Sequence, residues 1–151
     1  MKKKFEKVGV LNLEDGKIDI TDPCYDNDIW CRINNVDVKP GKYNCYVKKD
    51  NSYRCPRVQE IRIVRQGSSK FANNWEILGW IGVDAGLAGF FISPKKNYSD
   101  EEWKKFCDSL KNDVYFVREY GFFSYSGFGD GEYDVKIDDD DNIIAVRIIF
   151  Y

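Results

Sequence analysis

The chain has no histidine. That removes Ser-His-Asp and Cys-His catalysis and every histidine-ligated metal site, leaving acid–base chemistry to Asp, Glu, Cys, Tyr or Lys with shifted pKa values. No apolar run approaches the length of a membrane span, and the opening MKKKFEKVGV lacks the sustained apolar stretch of a signal peptide. The expected location is therefore cytoplasmic, with no membrane partner. A net charge of −2 over 151 residues speaks against a protein that neutralises many phosphates of duplex nucleic acid. Cys-x-x-Cys pairs are missing too. The five cysteines (Cys24, Cys31, Cys45, Cys55 and Cys107) match no zinc ribbon or finger, so no metal or cofactor is expected. An odd number without a secretion signal favours reduced thiols that pack as small hydrophobes.

Repeats, low-complexity tracts and interdomain linkers are also lacking, so residues 1–151 read as a single domain long enough to bury a core. What dominates is alternation, the signature of half-buried strands. In GKIDITD, Ile18 and Ile20 oppose Lys17, Asp19 and Thr21; in GKYNCYVKK, Tyr43, Cys45 and Val47 oppose Lys42, Asn44 and Lys48. VQEIRIVR sets Ile61 and Ile63 against Glu60 and Arg62. GEYDVKID points Tyr133, Val135 and Ile137 inward, and NIIAVRIIF is apolar on both faces. Between these last two, the run Asp138 to Asn142 reads as a hairpin connection. It also begins like an EF-hand loop, but Ile143 and Ile149 stand where that loop takes glycine and glutamate.

One helix is expected, near 99–112. Ser99 and Glu102 form a capping box, Tyr98 and Trp103 a hydrophobic staple, and Trp103, Phe106, Cys107 and Leu110 one buried stripe. Acidic residues at its start and Lys111 at its end suit the helix dipole. Residues 114–120 fit helix or strand equally. The fold class is mainly β (α+β): an antiparallel β-sandwich or an open barrel-like sheet with one packed amphipathic helix.

Two glycine-rich stretches stand apart. GWIGVDAGLAGFF places Asp84 among Gly79, Gly82, Gly86 and Gly89; SGFGDGEYDV places Asp130 and Phe128 among Gly127, Gly129 and Gly131. They are either bulges and tight turns of a curved sheet or backbone nests that bind an anion. A third stretch, ITDPCYDNDIW, combines an Asp22-Pro23 turn signal with Tyr25 and Trp30, which are core aromatics or the two faces of a cleft. Arg54, Arg57, Arg62 and Arg65 can supply charges to such a cleft, although on strands they read as a solvated face.

TDPCY, GVDAGLAGF, SGFGDGEYDV and the closing AVRIIF, taken together from about Val8 to Tyr151, resemble a family found in phage and bacterial genomes and described only as a domain of unknown function. The resemblance implies a small β-rich domain, frequent in phage and mobile elements, without an established activity. Members often carry an acidic residue shortly after the Gly-Asp-Ala-Gly segment; here Ile92 and Ser93 stand in that region, which weakens a two-carboxylate mechanism through Asp84.

The expected function is a non-enzymatic domain that holds a small anionic, nucleotide-like ligand, with sequestration of a host signalling nucleotide as its phage-borne form. Its expected site joins Asp22, Tyr25, Trp30, Asp84, Gly86, Gly127, Phe128, Gly129, Asp130 and Gly131. A homo-oligomer is expected. The alternatives are a hydrolase with Asp84 and Asp130 as paired acid and base, and a protein–protein interaction module.

Overall fold

The computed structural model describes residues 5–24, 32–52, 57–68, 74–96, 98–110, 113–140 and 142–150. In chain order the strands are β1 (Phe5–Leu13), β2 (Lys17–Thr21), β3 (Ile33–Asp37), β4 (Gly41–Asp50), β5 (Arg57–Arg65), β6 (Trp75–Val83) and β7 (Leu87–Ile92). Then follow helix α1 (Asp100–Asp108), β8 (Tyr115–Arg118), β9 (Gly121–Tyr125), β10 (Gly131–Asp140) and β11 (Asn142–Ile149). They build two antiparallel sheets, ordered β1-β4-β5-β11-β10-β6 and β3-β2-β7-β9-β8. The sheets do not close into a barrel, so the architecture is a β-sandwich.

The alternating residues make the core where the two sheets face each other. Tyr43, Cys45 and Val47 of β4, Ile61 and Ile63 of β5, and Val146 and Ile148 of β11 meet Ile18, Ile20, Phe90 and Phe122 of the second sheet. Burying one such side chain contributes about 1.5–3 kcal/mol, so this layer dominates the stability of the sandwich. The aspartate run lies within the β10/β11 ladder more than between the strands: Asp139 pairs with Ile143 and Asp140 with Asn142. The segment after the helix, left open by periodicity, is a strand: β8 pairs antiparallel with β9.

Helix α1 starts as its sequence dictates. The Glu102 N–H donates to Ser99 Oγ at 3.2 Å, and the Tyr98 and Trp103 rings lie 5.7 Å apart. It ends at Asp108 with Ser109 as its C-cap, short of residue 112, and Lys111 lies outside the described residues. Phe106 packs on Leu87, Phe91, Phe116 and Phe123, the outer face of the second sheet, with Trp103 and Leu110 beside it. Cys107 does not share that stripe. It is exposed, because a nine-residue helix seated on Phe106 turns the next position toward solvent.

Alternation tells which face a residue is on, not what covers that face. Asp19, Thr21, Glu60 and Arg62, expected to face water, are all buried. Arg62 in particular is not part of a solvated face. Its guanidinium carbon lies 3.9 Å from the Phe5 ring centre and 5.1 Å from that of Trp75, and its Nε donates to Glu60 Oε2 at 2.7 Å. Burial pushes its pKa down, and the Glu60 carboxylate opposes the shift. Arg54 lies outside the described residues. Among the described residues, no helix is long and apolar enough to cross a membrane.

Candidate functional site

The fold brings Asp22 of the third stretch and the turns of both glycine-rich stretches to one end of the sandwich. Asp22, just past β2, is fully buried, and its carboxylate accepts from three backbone N–H groups. Oδ1 takes Cys24 N at 2.9 Å; Oδ2 takes Asp84 N at 2.8 Å and Ala85 N at 2.7 Å. Asp22 therefore clamps the β6–β7 turn, and two donors that an anion nest would offer there are engaged by it. The β9–β10 turn packs alongside: Ser126 N donates to Gly86 O at 2.9 Å, and Ser126 Oγ and Tyr133 Oη donate to Gly129 O at 2.6 and 2.7 Å.

Glycine is required there for two different reasons. A Cβ on Gly127 would stand 2.2 Å from Val58 O, so close approach to β5 forbids a side chain. Gly129 has φ +80°, the left-handed region that a side chain disfavours. Phe128 between them is 48% exposed, with Arg57 over its ring at 5.4 Å. Asp84 and Asp130 are exposed, and neither makes a side-chain hydrogen bond among the described residues. Tyr25 and Trp30 lie outside the described residues. Burial, then the hydrogen bond and charge of Asp22, push the Cys24 thiol up to about 12, so it stays protonated near neutral pH and is a poor nucleophile.

A second constellation, which the sequence did not single out, sits on the outer face of the second sheet beside α1. Asp19 of β2 points there and is 3% exposed. Its Oδ2 accepts from Arg32 Nη2 at 3.1 Å and from the backbone N–H of Lys95 at 2.7 Å; Oδ1 accepts from Asn35 N at 2.8 Å. Asn35 has φ +56°, a conformation asparagine tolerates better than most residues. Arg32 Nε also donates to Asn34 Oδ1. One buried carboxylate thus fixes three separate segments: the start of β3, β2 itself, and the connection from β7 to α1.

That connection, tied by Ser93 N to Lys17 O at 3.2 Å, is flanked by two cavities. One, of about 450 Å³, is lined by Phe91, Ile92, Pro94, Lys95, Lys96, Tyr98, Glu119 and Tyr120. The other, of about 380 Å³, is lined by Lys17, Asp19, Arg32, Asn34, Asn35, Ser93, Pro94 and Lys95. Each falls within the size range of small-molecule sites. Together their walls carry the cations Lys17, Arg32, Lys95 and Lys96 against the carboxylates Asp19 and Glu119, a positive excess in a chain of net charge −2. Lys17 pairs with Asp37 at 3.5 Å and Lys96 with Glu102 at 2.5 Å, both across exposed surface, where such pairs hold weakly.

The signal that could have revealed this groove was local: SPKKNYSD places two lysines and a tyrosine between a strand and a capped helix. No family model matches the chain, and no curated protein or solved structure matches it.

Proposed function

We propose that the protein is a non-enzymatic domain that binds a small anionic ligand, and that the ligand lies in the groove along Ser93–Lys96. The observation that carries this reading is Lys95. It is 7% exposed, it lines both cavities, and its backbone is held by the buried Asp19 carboxylate. A cation set at the shared wall of two cavities, away from bulk water, attracts an anion more strongly than a solvated lysine does. Because Asp19 also fixes Arg32 and Asn35, the polar groups around the groove are preorganised, which lowers the entropic cost of binding. The absence of histidine and the protonated state of the Cys24 thiol favour binding over catalysis.

The resemblance to a phage and mobile-element family supports sequestration of a host signal in the host cytoplasm as the role. A homo-oligomer belongs to the same proposal. The sheet edge at β6 offers a nine-residue strand whose one charged residue is Glu76, with Ile77 and Trp80 67% and 42% exposed. Native mass spectrometry of protein purified from a producing host tests both points. A retained small anion that leaves on denaturation, carried by a dimer or larger assembly, is the expected spectrum. A ligand-free monomer that also ignores added phosphate-bearing compounds contradicts the reading.

A further inference from the structure

We infer that the groove is divided by function as well as by shape: its two cavities take the two halves of one ligand, a flat ring and a phosphate monoester, as in a nucleoside monophosphate. This inference rests on the reading of the groove as an anion site.

The larger cavity is walled mainly by carbon. Phe91, Ile92, Pro94, Tyr98 and Tyr120 surround it, and the Tyr120 ring lies nearly parallel to that of Phe91, 6.4 Å away at 8°. Phe91 is buried and Tyr120 is 40% exposed, so Tyr120 is stacked from beneath while much of its own surface remains accessible. A ring held this way is a platform for a second flat ring, and any nucleobase has the π-face to use it.

The smaller cavity has a different chemistry. Lys17, Arg32 and the side chains of Asn34 and Asn35 give it cationic and amide donors, and Asp19 holds Arg32 and the Asn35 backbone in place. A phosphate monoester accepts from such donors through charge-assisted hydrogen bonds. Pro94 and Lys95 belong to both cavities, so only this short segment separates the ring compartment from the phosphate compartment. A polyphosphate without a ring leaves the larger cavity unfilled; an uncharged nucleoside leaves the donors of the smaller one unmatched.

The test is calorimetric titration with four probes: adenosine 5′-monophosphate, ribose 5-phosphate, adenosine and inorganic phosphate. The nucleotide is expected to bind about tenfold or more tighter than ribose 5-phosphate, the scale of one base–aromatic stack. Tyr120→Ala should erase most of that difference and leave ribose 5-phosphate affinity within about twofold of the parent. Lys17→Glu, at an exposed position, should weaken both phosphate ligands in parallel. Far-ultraviolet circular dichroism and thermal unfolding establish that each variant is folded, and Tyr120→Leu replaces the alanine variant if it is not. Equal affinity for nucleotide and ribose 5-phosphate overturns the divided groove while leaving the anion site intact. Failure of every phosphate-bearing probe to bind at millimolar concentration overturns both.

Discussion

The Asp19 carboxylate holds the backbone N–H of Lys95 at 2.7 Å, linking a mid-strand position to a connection 76 residues further along the chain. The same carboxylate pairs with Arg32, and both side chains are only 4% exposed. Asp19→Ala strands a buried guanidinium and two backbone donors, and should cost about 3–5 kcal/mol in denaturant unfolding. An unchanged midpoint would mean that Asp19 does not organise the groove.

At the glycine-rich end, the three aspartates should separate cleanly. Asp22→Ala removes the buried acceptor of three backbone N–H groups and should cost about 1.5–3 kcal/mol, as loss of a charged hydrogen-bond acceptor does. Asp84→Asn and Asp130→Asn alter exposed side chains and should each stay within about 0.5 kcal/mol of the parent. Comparable losses at all three positions would contradict the clamp assigned to Asp22.

How legible this was in the sequence varies by residue. Tyr133, Val135 and Ile137 alternate, and the strand they sit on follows from that period alone. Ser99 and Glu102 mark the helix start because capping is local chemistry, complete within four residues. Asp19 alternates as regularly as any surface residue, yet it is buried, because what covers it comes from Arg32 and from Lys95. Nothing within a strand's own period reports a partner that arrives from elsewhere in the chain. The glycine stretches were visible in the composition, but the demand on Gly127 was not: Val58 O lies where its side chain would stand.

Helix α1 should owe its place to Phe106 more than to its own propensity, since nine residues are too few for an independent helix. Phe106→Ala should cost about 3–5 kcal/mol, whereas Leu110→Ala, at a half-buried position past the helix end, should cost less. Thermal unfolding of the two variants gives the order. If Leu110→Ala is the more damaging, the helix docks differently from the arrangement around Phe91 and Phe123.

Alkaline pH should weaken the fold. Burial pushes the Cys45 thiol up to about 12 and raises the Tyr43 phenol as well, so the folded state keeps protons that the unfolded chain gives up. With the folded pKa above the unfolded one, this stability is complete below about pH 9 and is lost as pH rises toward 12. Each such group steepens the loss by at most about 1.4 kcal/mol per pH unit. Cys45→Ala should start from a lower stability but decline less steeply between those limits, as read from denaturant midpoints. Parallel curves would show that Cys45 does not titrate differently on folding.

The central claim is that the small-anion site lies beside Lys95 and not at the glycine turns. The most direct measurement is a ¹H–¹⁵N correlation spectrum recorded during titration with a nucleoside monophosphate. Backbone signals of Lys17, Asn35, Lys95 and Tyr120 should shift together and saturate with one dissociation constant, while those of Asp84, Gly86, Gly129 and Asp130 stay in place. Shifts confined to the second set, with the first unmoved, would contradict it.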